Sequence, residues 1–488
     1  MRSPTSFLII ATVLFLLTSV PITGSDTTAS YDSPDGTYTY ITHGSGADSD
    51  PYWSEITSFS CGGGTVFLQS SLEGYGMTTI TSLSGCGADT VVVPRTVTSV
   101  ADGALDGSEV GRMVFLGDRP DISVPDGVEV IALDSSSGWG AYTVTIPLQT
   151  FRNGGSAFTY YVLDGMAYVY GAPCPRDITI PDTDDRGVPF VGIDSEAFRD
   201  GDITSISFGR NIVSVGTRAF YGCESLASVT MGGSVRDIRD EAFRYCVRLA
   251  DVDLTGVVTI GFESFRDCRS FGTIAVPDSV TDMGGGAFYL CRSARSVDIG
   301  SGIDALPERS FGYCSSLGSV DITGIISLGT SAFISCTSLR HVTLDGDITD
   351  IGDSAFSGCT YLTGLDLGGS LVSVGGGAFY ECRLLSELTF PETLECIGTK
   401  AFFHCYGLTD LYFEGEMPEI SGDLLFGTED VAVHIYDTHE DSWASFDGEL
   451  TVEEGPGKAR MSSTSIVIAA ILAVAVLAVA VSVHTKVR

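Results

Sequence analysis

The chain has 488 residues, too many for one ordinary core, so several domains or a repeat array are expected. Hydrophobic residues make up 44% and charged residues 18%, which excludes a disordered chain. A formal net charge of −36, from 26 basic and 62 acidic residues, repels phosphate backbones and argues against a nucleic-acid partner.

The chain opens with an apolar run at residues 7–20 behind Arg2, and small residues Thr23, Gly24 and Ser25 precede Asp26. This reads as a secretory signal peptide over 1–25 and directs the rest of the chain outward. Residues 26–60, rich in Ser, Thr, Gly and Tyr, form either a cap or a flexible lead. Residues 61–150 read as a short degenerate repeat block closed by a cap. Its end, MVFLGDRPDI at 113–122, aligns with DLYFEGEMPEI at 410–420, pairing Phe115 with Phe413 and Gly117 with Gly415. A Trp follows each, Trp139 and Trp443. The segment 151–157, FRNGGSA, is the expected linker.

The main array, 155–446, is built on one unit. A small residue and Phe recur at Phe198, Phe220, Phe243, Phe265, Phe288, Phe311, Phe333, Phe356, Phe379 and Phe402, spaced 22 or 23 apart. Cysteine stands three residues beyond every Phe but the first, and a Leu usually three beyond that. An alternating triplet such as Val342-Thr343-Leu344 then marks a short strand. A unit this short cannot enclose a core, so neighbours must stack, with the Phe side chains forming a spine. Nine steps of ~4.8 Å would extend the array about 43 Å. The expected architecture is an α/β-type repeat solenoid, mostly β: a parallel strand ribbon with irregular or short helical returns.

Beyond the array, 447–460 reads as a stalk. Residues 461–483, 23 uncharged positions, are long enough at ~34 Å for a transmembrane helix. Lys486 and Arg488 in the tail 484–488 fit a cytoplasmic end. The localisation read from the two ends is the cell surface, as a single-pass membrane protein; removal of the C-terminal segment as a sorting tail stays open.

The pattern AFxxCxxLxxVxL, followed in several units by VxxIG, resembles the BspA-like leucine-rich repeat family over most of residues 88–446. The resemblance implies an exported surface protein that adheres to host or microbial ligands, with no shared catalytic motif. On that reading the partner is an extracellular protein or glycan, and a structural spacer of the envelope is the alternative.

No enzyme motif competes with this reading. The histidines His43, His341, His404, His434, His439 and His484 lack metal-ligand spacing. The PDTDDRG segment holds Asp182, Asp184 and Asp185, but the twelfth loop position is Ile193 instead of Glu, so a solvated turn is expected. No cofactor is indicated, and the chain reads as no enzyme. The nine repeat cysteines, Cys223 to Cys405, would form a ladder of buried, reduced thiols, because in-register neighbours suit a disulfide poorly. A bridge between Cys61 and Cys86 stays open. The open side of the strand ribbon is either the binding strip or a merely solvated face, carrying Asp251, Asp253, Asp298, Asp321, His341, Asp366, Glu387, Asp410 and Tyr412. It is small, polar and acidic, with one aromatic, and it leaves a weak calcium dependence open.

Overall fold

A computed structural model of the chain describes residues 27–453, apart from 34–35, 44–52, 73–74, 123–126, 135, 140–143, 154–155, 172–175, 345–347, 426, 429, 447 and 449. The signal peptide and membrane-spanning expectations lie outside the described residues. The chain divides into two compact units, one ending at Gln149 and the other beginning at Thr150.

In the first unit, Thr27–Ser33, Gly36–His43 and Trp53–Ser60 form an antiparallel meander whose last strand pairs in parallel with Tyr75–Ile80. A second parallel sheet runs from Thr65–Phe67 through Thr90–Val93, Arg112–Phe115 and Glu129–Leu133 to Val144–Ile146. Their inward residues share one core that includes Val91, Met113, Phe115 and Trp139. Cys61 and Cys86 face each other across a parallel bridge, with Cα atoms 4.8 Å apart, and are joined by a disulfide. In-register stacking therefore does not by itself exclude a bridge, since 4.8 Å lies inside the range a disulfide spans.

The second unit is the long array, and its returns differ from the expectation. Most turns contribute two strands. The expected ribbon contains Ser205–Ser207, Ser228–Thr230, Thr273–Val276, Ser296–Ile299, Ser319–Asp321, His341–Thr343, Glu387–Phe390 and Asp410–Phe413. A second parallel ladder uses the VxxIG segments: Ser214–Val215, Asp237–Ile238, Thr259–Ile260 and Asp282–Met283, then Ala305–Leu306 through Glu419–Ile420. Among the described residues, helix is confined to two 3-10 turns, Asp437–His439 and Ser442–Ser445. The fold is a mostly-β parallel solenoid, not an α/β one, because the returns spend their amides on neighbouring turns instead of an i to i−4 ladder.

The Phe turn shows how this is done. The amides of Arg218, Phe220 and Gly222 donate to Asp240, Ala242 and Arg244 of the next turn. The intervening amides of Ala219, Tyr221 and Cys223 close i to i−3 bonds within their own turn. Alternate amides can point along the solenoid axis only if the backbone alternates. The residues two before and two after each of the ten Phe positions all have positive φ. Only Gly222, Gly286, Gly358 and Gly377 among those twenty positions are glycine. The other sixteen, including Glu241, Tyr245 and Ser335, accept a conformation that costs an L-residue of order 1 kcal/mol relative to Gly.

The Phe rings stack as expected, with centroids 5.0 to 5.7 Å apart from Phe198 to Phe402. Removing one ring would cost about 3–5 kcal/mol. The residue before each Phe is Ala or Ser, and its side chain is buried in the packed interior, where a larger one would not fit. Each ladder thiol donates to the carbonyl of the Phe one turn back, at 2.9 Å for Cys405 to Phe379 and 3.4 Å for Cys314 to Phe288. These thiols are fully buried and unbridged.

Of segment 151–157, expected as the linker, residues 151–153 instead end the strand Gln149–Asn153 that edges the second unit's sheet, and residues 156–157 begin the strand Ser156–Leu163. Phe151 is buried there and stacks on Phe158 at 5.0 Å. An apolar side chain of that size in a Gly-rich stretch belongs to the core.

Burial pushes the thiols of Cys314, Cys359 and Cys405 up to about 12, so almost no thiolate exists near neutral pH. A maleimide at pH 8 should therefore leave all nine ladder cysteines unlabelled in the folded protein and label them on denaturation. Mass spectrometry of labelled peptides checks this; native labelling of Cys336 or Cys359 would contradict the packing.

Candidate interaction surface

The structure places the strip residues where the alternation requires. Asp251, Asp253, Asp298, Asp321, His341, Asp366 and Glu387 are exposed, while Asp410 and Tyr412 are half-buried. Asp298 and Asp321 stand in direct register on adjacent strands, continuing to Thr343. Asp251 and Asp253 flank Val252, which makes an isolated bridge to Val229, and Asp366 lies outside a strand. The carboxyls of Asp253 and Asp321 are held below the usual range by hydrogen bonds from Thr255 and Thr323. Among the described residues, strip residues meet in a contact network at the C-terminal end. His434 Nε2 lies 2.8 Å from Asp410, its Nδ1 3.4 Å from Glu453, and its ring stacks on Tyr412 at 4.3 Å. Thr409 and then His434 lower the Asp410 pKa. Among the described residues, no group of three Asp, Glu, His or Cys side chains is arranged to hold a metal ion.

A second surface, formed by the Phe turns, carries what the strip lacks. The outward positions one and two beyond Phe hold Arg199, Tyr221, Arg244, Tyr245, Arg266, Tyr289 and Tyr313 in the first six turns. The next two turns carry Ile334, Ser335, Ser357 and Gly358, and the last two carry Tyr380, Glu381, Phe403 and His404, with Tyr380 stacked on Phe403 at 5.2 Å. Tyr221 meets Tyr245 edge-on at 5.3 Å, and Tyr289 meets Tyr313 at 5.4 Å. Guanidinium groups lie over these rings: Arg199 over Tyr221 at 5.0 Å, Arg244 over Tyr245 at 4.9 Å and Arg266 over Tyr289 at 5.0 Å.

Beneath the rings runs an ion-pair chain across three turns. Glu241, 1% exposed at its side chain, accepts from Arg218 Nε at 3.0 Å and Nη2 at 2.8 Å, and from Arg244 at 2.9 Å. Arg244 also pairs with Glu263, which pairs with Arg266. Burial raises the Glu263 pKa, an effect opposed by Arg244 and Arg266. Burial works against the Arg244 charge, but Glu241 and Glu263 outweigh it and raise its pKa. The rings thus rest on a fixed polar base that holds the tyrosines in place. Reading the sequence for strand-facing residues overlooks this surface; comparing the two positions after Phe from repeat to repeat reveals it.

The PDTDDRG segment is an exposed turn at Thr183 and at Asp185 to Gly187, but Asp184 within it is not solvated as expected. Asp184 is buried and accepts hydrogen bonds from Tyr160 Oη, the Arg186 guanidinium and the amides of Arg186 and Val188. Burial pushes its pKa up, but these donors overcome that and hold it at about 2. Asp184 therefore pins the loop at the start of the array. In the first unit Trp139 packs on Phe115 at 4.7 Å and donates to the Gly117 carbonyl. In the second, Trp443 packs on Phe413 at 4.6 Å and donates to Gly415.

A family model described as BspA type leucine rich repeat region matches in 6 copies, over residues 191–318, 242–363 and 306–432. No curated protein matches the chain. Among solved structures it is similar to a leucine-rich repeat protein from Bacteroides ovatus, at 18% identity and TM-score 0.42, covering 88% of this chain and 99% of that one. It is also similar to a leucine rich cell surface protein from Faecalibacterium prausnitzii, at 20% identity and TM-score 0.33, covering 80% and 96%. A T. pallidum leucine-rich repeat protein is 27% identical with TM-score 0.36, covering 38% of this chain and 88% of that one.

The buried chain separates in energy from surface pairs. Glu241→Gln should destabilise the array by about 3–5 kcal/mol, because it removes the buried carboxylate that Arg218 and Arg244 share, leaving Arg244 with Glu263 alone. Glu381→Gln, which removes a part-exposed pair with Arg383, should cost under about 1 kcal/mol. Urea unfolding of the two variants measures the difference, and equal small shifts would show that Glu241 carries no structural charge.

Proposed function

Since residues 191–432 make this chain a member of the BspA-type leucine-rich repeat family, we propose that it is a membrane-anchored cell-surface recognition protein whose array binds an extracellular protein. The apolar segments at 7–20 and 461–483 support export and anchoring. The observation that carries the binding role is the set of part-exposed Tyr rings with Arg guanidinium groups over them on the outward side of the Phe turns in the first six turns. Those two residue types dominate the anchors of protein interfaces, and here they sit on a rigid base with their rings half-exposed. The strand strip, uniformly small and acidic, supplies a solvated flank with few anchors. A lattice or spacer role would instead leave the tyrosines without consequence.

Saturable binding of the full chain to intact neighbouring cells or to immobilised extracellular proteins tests this. The pair Tyr245→Ala and Tyr313→Ala should weaken binding by about tenfold or more. Charge reversal at Asp298 and Asp321 should leave it nearly unchanged. Binding that ignores the tyrosine pair, or self-assembly without binding, would favour the spacer role.

A further inference from the structure

Beside the tyrosines, toward the strand face, three consecutive turns carry exposed arginines, and those of the first and third have nothing to bind among the described residues. Arg248, Arg292 and Arg295 are exposed, and among the described residues none of their guanidinium groups makes an ion pair or hydrogen bond. Arg269, between them, is held by Asp267 at 2.7 Å. The backbone stacks these turns directly: Arg295 N donates to Gly272 O, and Gly272 N to Ala250 O. The group therefore spans two steps of ~4.8 Å, about 10 Å along the axis. Equivalent positions in the following turn are Ser315, Ser316 and Gly318; arginine returns at these positions only further along, as Arg340, which lies over Tyr361, and Arg383, which pairs with Glu381.

A chain of net charge −36 would be expected to repel an acidic partner. At physiological salt, however, the Debye length is about 8 Å, so charges at contact range outweigh the distant surplus. The most available charges beside Tyr245 and Tyr313 are then three unpaired guanidinium groups. A guanidinium fork matches a carboxylate bidentately. An extended polypeptide presents alternate side chains about 6.6 Å apart, so two or three carboxylates can reach the group at once.

We propose that the partner docks through an acidic, Asp- and Glu-rich polypeptide segment laid across Arg248, Arg292 and Arg295. Tyr245, Leu290 and Tyr313 take the apolar side chains of that segment. This assignment rests on the turn-face reading of the preceding section. Apolar anchors beside the arginines favour a polypeptide over a sulfated or uronic polysaccharide, which has no apolar side chains to fill them.

The test uses the full chain with poly-L-glutamate as probe, alongside poly-L-lysine and dextran sulfate, followed by fluorescence anisotropy between roughly 50 and 500 mM salt. Poly-L-glutamate should bind, should weaken with salt, and should lose about tenfold or more in the triple variant Arg248→Ser, Arg292→Ser, Arg295→Ser. These side chains are exposed and unpaired, so the variant should keep the wild-type melting temperature. No binding of poly-L-glutamate, or equal binding by the triple variant, overturns the proposal. Preference for dextran sulfate, lost in the same variant, replaces the acidic segment with an anionic polysaccharide and overturns it too. If cell binding depends on Tyr245 and Tyr313 yet ignores the three arginines, the acidic partner fails while the recognition reading stands.

Discussion

Everything in the long array depends on the backbone of the Phe turn. Alternate amides leave the turn for the next one, and the remaining amides close the turn on itself. This arrangement satisfies every second donor between repeats and fixes the axial rise. The rise in turn sets the 5.0 to 5.7 Å stacking of the rings. The thiol ladder follows from the same geometry, because each Phe carbonyl keeps a lone pair for the next turn's sulfur after accepting its own turn's Cys amide. A cysteine fits here as a small, weakly polar group that fills the interior and still donates.

The cost is borne by the residues at positive φ. Two per turn are held left-handed, and most carry side chains, which gives the turn face a dense set of outward groups that a Gly-rich turn would lack. Glu241, Tyr245, Glu263 and Tyr313 all occupy such positions. The same backbone requirement that builds the solenoid therefore presents the ion-pair chain and two of the exposed rings. Structure and the proposed recognition share residues on this face, whereas the strand face holds its side chains by simple alternation.

The repeat period, the Phe spine, the buried thiols and the exposed row of Asp251 to Glu387 could all be read from the sequence, because each rests on fixed spacing of one residue type. The second ladder could not, since strands of two residues such as Asp237–Ile238 have too few positions to show alternation. The left-handed positions were hidden because Glu, Arg, Tyr and Ser fill them in place of the Gly that usually signals such backbone. Phe151 was lost among glycines, and Asp184 looked like solvent because burial of a carboxylate depends on donors, Tyr160 and Val188, that lie outside its immediate motif. The Tyr and Arg surface was visible in principle, but only after aligning the two positions beyond each Phe, which a search along the strands does not do.

Amide hydrogen exchange across the inner repeats tests the alternation most directly. The account predicts that the amides of Phe220, Phe243, Phe333 and Phe356, together with those of Glu241, Tyr245, Ser331 and Ser335, exchange only through cooperative opening of neighbouring turns and are the most protected in the chain. Fast exchange at these positively twisted residues, with protection confined to the strands, would contradict it.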